Sequence, residues 1–155
     1  MKNKLILGTV QFGLDYGINN PAGKPSKEQV FEIFEQAAKA GISILDTADV
    51  YGNASELIGE FFANSSTRFD INTKFKVEEG KTIEAQLHNS LQLLNTDTVN
   101  VYFYHRFDEM LEFPETLVEL GKLKSQNLIK KIGVSVYGND EFEIAVNTPE
   151  IDAIQ

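Results

Sequence analysis

Short apolar runs alternate along the chain with longer segments whose apolar residues recur every third or fourth position. The short runs read as strands: Leu5 to Val10, Ile42 to Asp46, Phe69 to Lys74, Val99 to His105, Ile132 to Ser135, and Ile151 to Gln155. Between them the 3.6-residue period predicts helices. Val30, Ile33, Phe34, Ala37 and Ala38 make one stripe, preceded by Ser26 and Gln29 at capping-box spacing and followed by Gly41 where a helix commonly ends. Asn53 and Glu56 mark a second start before Leu57, Ile58, Phe61 and Phe62. Ile83, Leu87, Leu91 and Leu94 form a third stripe. Leu117, Leu120 and Leu123 form a fourth, within Pro114 to Gln126, and Asn127 suits the left-handed position after it. Asn139 or Asp140 caps a short fifth helix. The stretch from Gln11 to Lys24, rich in Gly, Asn and Pro, reads as a long loop, and long ordered loops are more often functional than idle.

Six strands alternating with five helices predict a parallel α/β protein. Two architectures share that alternation, the doubly wound sheet and the (β/α)8 TIM barrel. Gly8, Gly13 and Gly17 lack the spacing of the dinucleotide-binding fingerprint, which disfavours the first. The strands also end on chemically distinct polar residues: Asp46, Lys74, His105, Ser135 and Gln155. Functional groups at successive strand ends favour the barrel. The expectation is therefore one domain over residues 1–155, a barrel truncated after strand six with its last two βα units missing.

Charge and composition narrow the partners. The net charge of −9 has no basic cluster within it, which argues against nucleic acid and anionic membrane. The absence of cysteine excludes disulfides and thiolate chemistry. No apolar run approaches the ~18 residues of a membrane span, and the N-terminus lacks a signal-peptide core, so a cytoplasmic chain is expected. An open six-stranded sheet would leave two unpaired edges, which invite self-association.

The chemistry gathers around Asp46-Thr-Ala-Asp-Val-Tyr51-Gly52. Alone, Asp46 could be a loop cap and Tyr51 a rim aromatic. Lys74 needs a partner, because an unpaired buried ammonium is strongly unfavourable, and Asp46 one strand away is the natural one. His105 alone could bond to backbone, and His88 in mid-helix reads as a solvated face residue. Together, a phenol beside a cation and a histidine suits general acid catalysis, since a nearby cation lowers a phenol pKa that starts near ~10. Polarising a carbonyl while hydride arrives is the reaction that needs these parts.

In order and spacing, the Asp46 to Gly52 motif, Thr73-Lys74-Phe75, the Ser90 to His105 segment and Ile132-Gly-Val-Ser135 resemble the aldo/keto reductases. The resemblance runs from Leu7 to Gln155. It implies a (β/α)8 barrel that reduces aldehydes and ketones with NADPH, or less often NADH. It implies Tyr51 as proton donor, Lys74 and Asp46 lowering its pKa, and His105 orienting the carbonyl. Ser135 and Gln155 match positions that hold the nicotinamide carboxamide, and Thr9 lies where the first strand approaches the cofactor. No metal ligands are implied. After Ser135 many members carry Asn, where this chain has Val136 and Tyr137. Two other readings fit a chain of this length: a non-catalytic truncated barrel, and a reductase-like regulatory subunit that senses a nicotinamide cofactor.

Overall fold

The computed structural model describes residues 4–18 and 20–155. Six strands, β1 (Leu7–Gly8), β2 (Ile44–Asp46), β3 (Asp70–Phe75), β4 (Val99–Tyr104), β5 (Ile129–Val134) and β6 (Ala153–Ile154), form one sheet in that order. Every neighbouring pair is parallel. A doubly wound sheet reverses its strand order at a switch point, whereas a barrel adds each strand beside the last. The unbroken order is therefore that of the first six units of a (β/α)8 barrel, as the strand ends predict.

Among the described residues, seven helices connect the strands: α1 (Val10–Gly13), α2 (Lys27–Lys39), α3 (Ala54–Asn64), α4 (Ile83–Leu94), α5 (Phe107–Glu112), α6 (Glu115–Ser125) and α7 (Asn139–Val146). Local chemistry explains several boundaries. The Ser26 side chain accepts the Gln29 N–H while the Gln29 side chain accepts the Ser26 N–H, a complete capping box opening α2. Asn127 adopts φ 61°, as expected of a residue after a helix end, and Asn95 does the same after α4 at φ 49°.

Other boundaries differ from the sequence expectation. The first strand shrinks from Leu5–Val10 to Leu7–Gly8, and α1 starts at Val10, the expected strand's last residue, and runs into what reads as loop. The cause is Thr9, whose N–H and Oγ1 both donate to the Asp46 carbonyl at 3.0 Å and whose own carbonyl accepts from Phe12. The chain turns there instead of extending. Helix α5 is too short for a helical stripe to reveal. Gly138, not Asn139 or Asp140, precedes α7, without a side-chain cap.

One face of the sheet packs against the helices. Phe75 stacks on Tyr102 and Tyr104 with centroids 4.6 and 4.8 Å apart, while Phe34 and Phe61 meet at 5.0 Å between α2 and α3. Ile58, Leu87, Leu94 and Leu120 are fully buried in the same layer. Burying each such side chain is worth about 1.5–3 kcal/mol, enough in sum to fix the strands that carry the polar ends. Side chains alternate along a strand, so residues between these apolar positions face the other side of the sheet. Lys74 and its register partner Phe103 lie there.

Candidate active site

Five strand ends and one turn converge on a cleft of about 260 Å³ lined by Asp46, Tyr51, Lys74, His105, Ser135, Val136, Tyr137 and Gln155. Two larger grooves, of about 670 and 830 Å³, lie against α2 and away from the strand-end charges. The cleft is where the chemistry is concentrated.

Lys74 sets the geometry. Its ammonium donates to Asp46 Oδ2 at 2.6 Å and to the Thr47 carbonyl at 3.0 Å. The side chains of Lys74 and Asp46 are only 5% and 13% exposed, so water screens this pair little. Burial pushes the lysine pKa down while Asp46 pulls it back up. Asp46 Oδ1 is buried and has no partner among the described residues. The pair is thus held from one side and open on the other.

Tyr51 arrives on a turn wedged against α1. Its N–H donates to the Ala48 carbonyl at 3.0 Å, and its carbonyl accepts from Ala54 at 3.1 Å. Gly52 follows with φ 56°, a conformation that favours glycine. A Cβ on Gly13 would overlap the Tyr51 carbonyl, so glycine at 13 lets α1 support the turn at backbone contact. The Tyr51 ring lies 5.3 Å from Lys74 Nζ, a cation–π distance, and meets the His105 ring edge-on at 6.2 Å.

The electrostatics depart from one expectation. The Tyr51 phenol is pushed above its ordinary value, by burial first and the Asp46 carboxylate second. The lysine charge does not lower it, because Asp46 neutralises that charge at close range. At neutral pH the phenol keeps its proton. His105 is pushed below the usual histidine value by burial, then by the charges of Lys74 and Lys76. Its N–H donates to the Phe75 carbonyl at 2.9 Å, placing the residue beside Lys76, and its buried Nδ1 has no partner among the described residues.

Ser135 and Gln155 sit next to each other, tied by the Val136 N–H to the Gln155 carbonyl at 2.8 Å and the Gln155 N–H to the Val134 carbonyl at 3.0 Å. Ser135 Oγ is buried without a partner among the described residues, and Ser135 lines the cleft. Thr9 is different. It is fully buried, its hydroxyl is committed to the Asp46 carbonyl, and it does not line the cleft. His88 lies on the exposed face of α4. Tyr137 lines the cleft without having been singled out in the sequence. Alternation from Ser135 could have found it, since residues two apart share a face.

The chain matches the family model described as "Aldo/keto reductase family" over residues 4–155. It is 29% identical over 132 residues to the aryl-alcohol dehydrogenase GME11368 of Pestalotiopsis microspora, covering 73% of this chain and 34% of that protein. A solved Pseudomonas aeruginosa protein assigned as an aldo-keto reductase superposes with a TM-score of 0.76 at 27% identity, covering 92% of this chain and 59% of the other. An aldo/keto reductase from Klebsiella pneumoniae, solved in complex with NADP and acetate, superposes with a TM-score of 0.68 at 23% identity, covering 92% and 49%. The chain spans 34 to 46% of the length of three curated relatives it matches.

Proposed function

Because the chain belongs to the aldo/keto reductase family, we propose that it carries the active site of an NADPH-dependent reductase of aldehydes or ketones, with NADH the second choice of cofactor. The observation that carries this reading is the buried Lys74–Asp46 pair at 2.6 Å, set against the Tyr51 ring and facing His105. A structural ion pair needs no protonated phenol and neutral imidazole beside it. A carbonyl reductase needs both.

The residues present fit a nicotinamide. Ser135 Oγ is a buried polar atom lacking a partner among the described residues, and Gln155 beside it offers an amide, together matching the donor and acceptor set of a carboxamide. When bound, a reduced nicotinamide supplies a hydride. The Tyr51 hydroxyl donates the proton that the carbonyl oxygen takes up as it becomes an alcohol. Lys74, held by Asp46, places positive charge near that oxygen, where negative charge develops. His105, neutral at working pH, donates a hydrogen bond that orients the carbonyl. Thr9 enters this scheme only by holding the Asp46 backbone, which is a smaller role than direct cofactor contact.

In this reading residues 1–155 are one domain of six strands, with helices after the first five. Phosphate sites of such barrels commonly lie after strands seven and eight, so it assigns no residue here to the phosphates or adenosine. Cytoplasmic location and self-association through the β1 and β6 edges belong to the same proposal. No helix of the described residues is long and apolar enough to cross a membrane. The test is NADPH consumption with a panel of small aldehydes and ketones, native against Tyr51→Phe. Tyr51-dependent oxidation of NADPH supports the reading; carbonyl-dependent turnover indifferent to that substitution defeats it.

A further inference from the structure

The turn that presents Tyr51 is fastened from behind by a residue with no part in the chemistry above. Asp49, two residues before Tyr51, donates its N–H to the Lys74 carbonyl at 3.2 Å. Its Oδ1 accepts the Ser90 hydroxyl of α4 at 2.7 Å. Ser90 is fully buried, and so is Tyr102 on β4, whose hydroxyl looks toward the same serine and has no partner among the described residues. One residue therefore joins the turn to the lysine strand through its backbone N–H and to a helix through its carboxylate.

Ser90 has a second acceptor. Its hydroxyl also lies 3.0 Å from the Gln86 carbonyl one helical turn back. A serine hydroxyl has one proton, so it bonds either outward to Asp49 or back onto its own helix. These are two discrete arrangements of one buried group. From this geometry we propose that Asp49 is a positioning residue: by accepting the Ser90 hydroxyl, its carboxylate latches the Tyr51 turn onto α4. The consequence for catalysis rests on the reading of Tyr51 as proton donor; the latch itself does not.

The latch depends on charge. A carboxylate holds the serine proton more strongly than the Gln86 carbonyl does, whereas a protonated Asp49 gives up that advantage. Burial pushes the Asp49 carboxyl up to about 6, with the Ser90 bond opposing that shift. The residue keeps a solvent-exposed flank, which moderates the push. The other groups facing it are Glu78 and Lys81, paired with each other at 2.6 Å before α4, and the buried Tyr102 phenol. For an acid, the charged form lies above its pKa. The latch is thus closed at neutral pH and opens as pH falls through about 6.

The test uses the native chain labelled with ¹³Cζ-tyrosine, the Tyr51 resonance being identified by its loss in Tyr51→Phe. Native protein should show a step in the Tyr51 shift near pH 6. Asp49→Asn should abolish the step and hold Tyr51 at its low-pH position, since a neutral amide oxygen has no advantage over the Gln86 carbonyl in accepting from Ser90. Asp49→Ala and Ser90→Ala should hold it at the low-pH position throughout. Ser90→Thr, which keeps the hydroxyl, should restore the native curve and serves if the alanine variants unfold. A native chain with no step, or a step that survives Asp49→Asn, overturns the latch. Turnover is not needed for this readout. A clear step in a chain that reduces no carbonyl sinks the reductase reading alone, and turnover without a step sinks the latch alone.

Discussion

Lys74 donates to the Asp46 carboxylate at 2.6 Å from a position almost closed to water. The two residues lie 28 positions apart on adjacent strands, and their contact fixes the height at which both meet the cleft. Such a pair is strongly coupled to folding. Removing one partner strands the other charge in a low-dielectric site, at a cost of roughly 3–5 kcal/mol.

Single substitutions Asp46→Leu and Lys74→Met should therefore each lower the urea midpoint markedly. The double substitution should recover most of the loss, because two packed apolar side chains leave no charge unpaired. Equilibrium unfolding of the three variants checks this. A double variant no more stable than the worse single would show that the pair contributes more than charge balance.

Tyr51→Phe should reduce carbonyl turnover by about 100 to 10,000-fold while leaving cofactor affinity close to native, since the proton is supplied only in the transition state. Steady-state rates with NADPH, set beside a fluorescence titration of the cofactor, separate the two effects. Equal losses in both would point to a collapsed turn and not a missing acid.

His105 should titrate below the ordinary histidine value near ~6.5, since burial and the Lys74 and Lys76 charges disfavour the imidazolium. Lys76→Gln removes one of those charges and should move the midpoint upward. Imidazole carbon shifts followed by NMR give both numbers. An unchanged midpoint in Lys76→Gln would remove Lys76 from the electrostatics of the site.

The 155-residue chain should bind NADPH more weakly than about 1 μM, less favourably than roughly −8 kcal/mol. Ser135 and Gln155 can hold one ring, and a net charge of −9 opposes a polyanion. Calorimetric titration decides. Tighter binding would mean that six strands, or their association, build a phosphate site unaided.

Much of this architecture was legible in the sequence because βα alternation and strand-end chemistry report the same layout twice. Ser26 with Gln29 fixed one helix start, Asn127 one helix end, and the strand to Lys74 carried its lysine to the cleft. What escaped depends on contacts between segments far apart in the chain. Thr9 ends its strand early because of the Asp46 carbonyl, which no local pattern reveals. Helices α1 and α5 are too short to show a period. The Tyr51 phenol shifts upward, opposite to the expectation, because burial is the larger cause and the Asp46 carboxylate adds to it, and no local pattern reports that burial. The Asp49–Ser90 contact joins residues 41 positions apart, and although both lie within motifs, no local pattern reveals that they meet.

The unbroken order of the sheet, β1 through β6, has a bearing on how the molecule comes into being. Each strand's pairing edge is supplied by the strand made just before it, so no segment must wait for a distant later one before it can dock. A chain emerging from the ribosome presents Asp46, then Lys74, then His105, then Ser135. Each strand after the first joins a template already formed, and the residues that line the cleft are brought together in the order of synthesis. Vectorial growth of this kind leaves the outer edge of β1 open throughout but confines the second exposed edge to one moving front, which limits the time that each later strand remains open to a wrong partner.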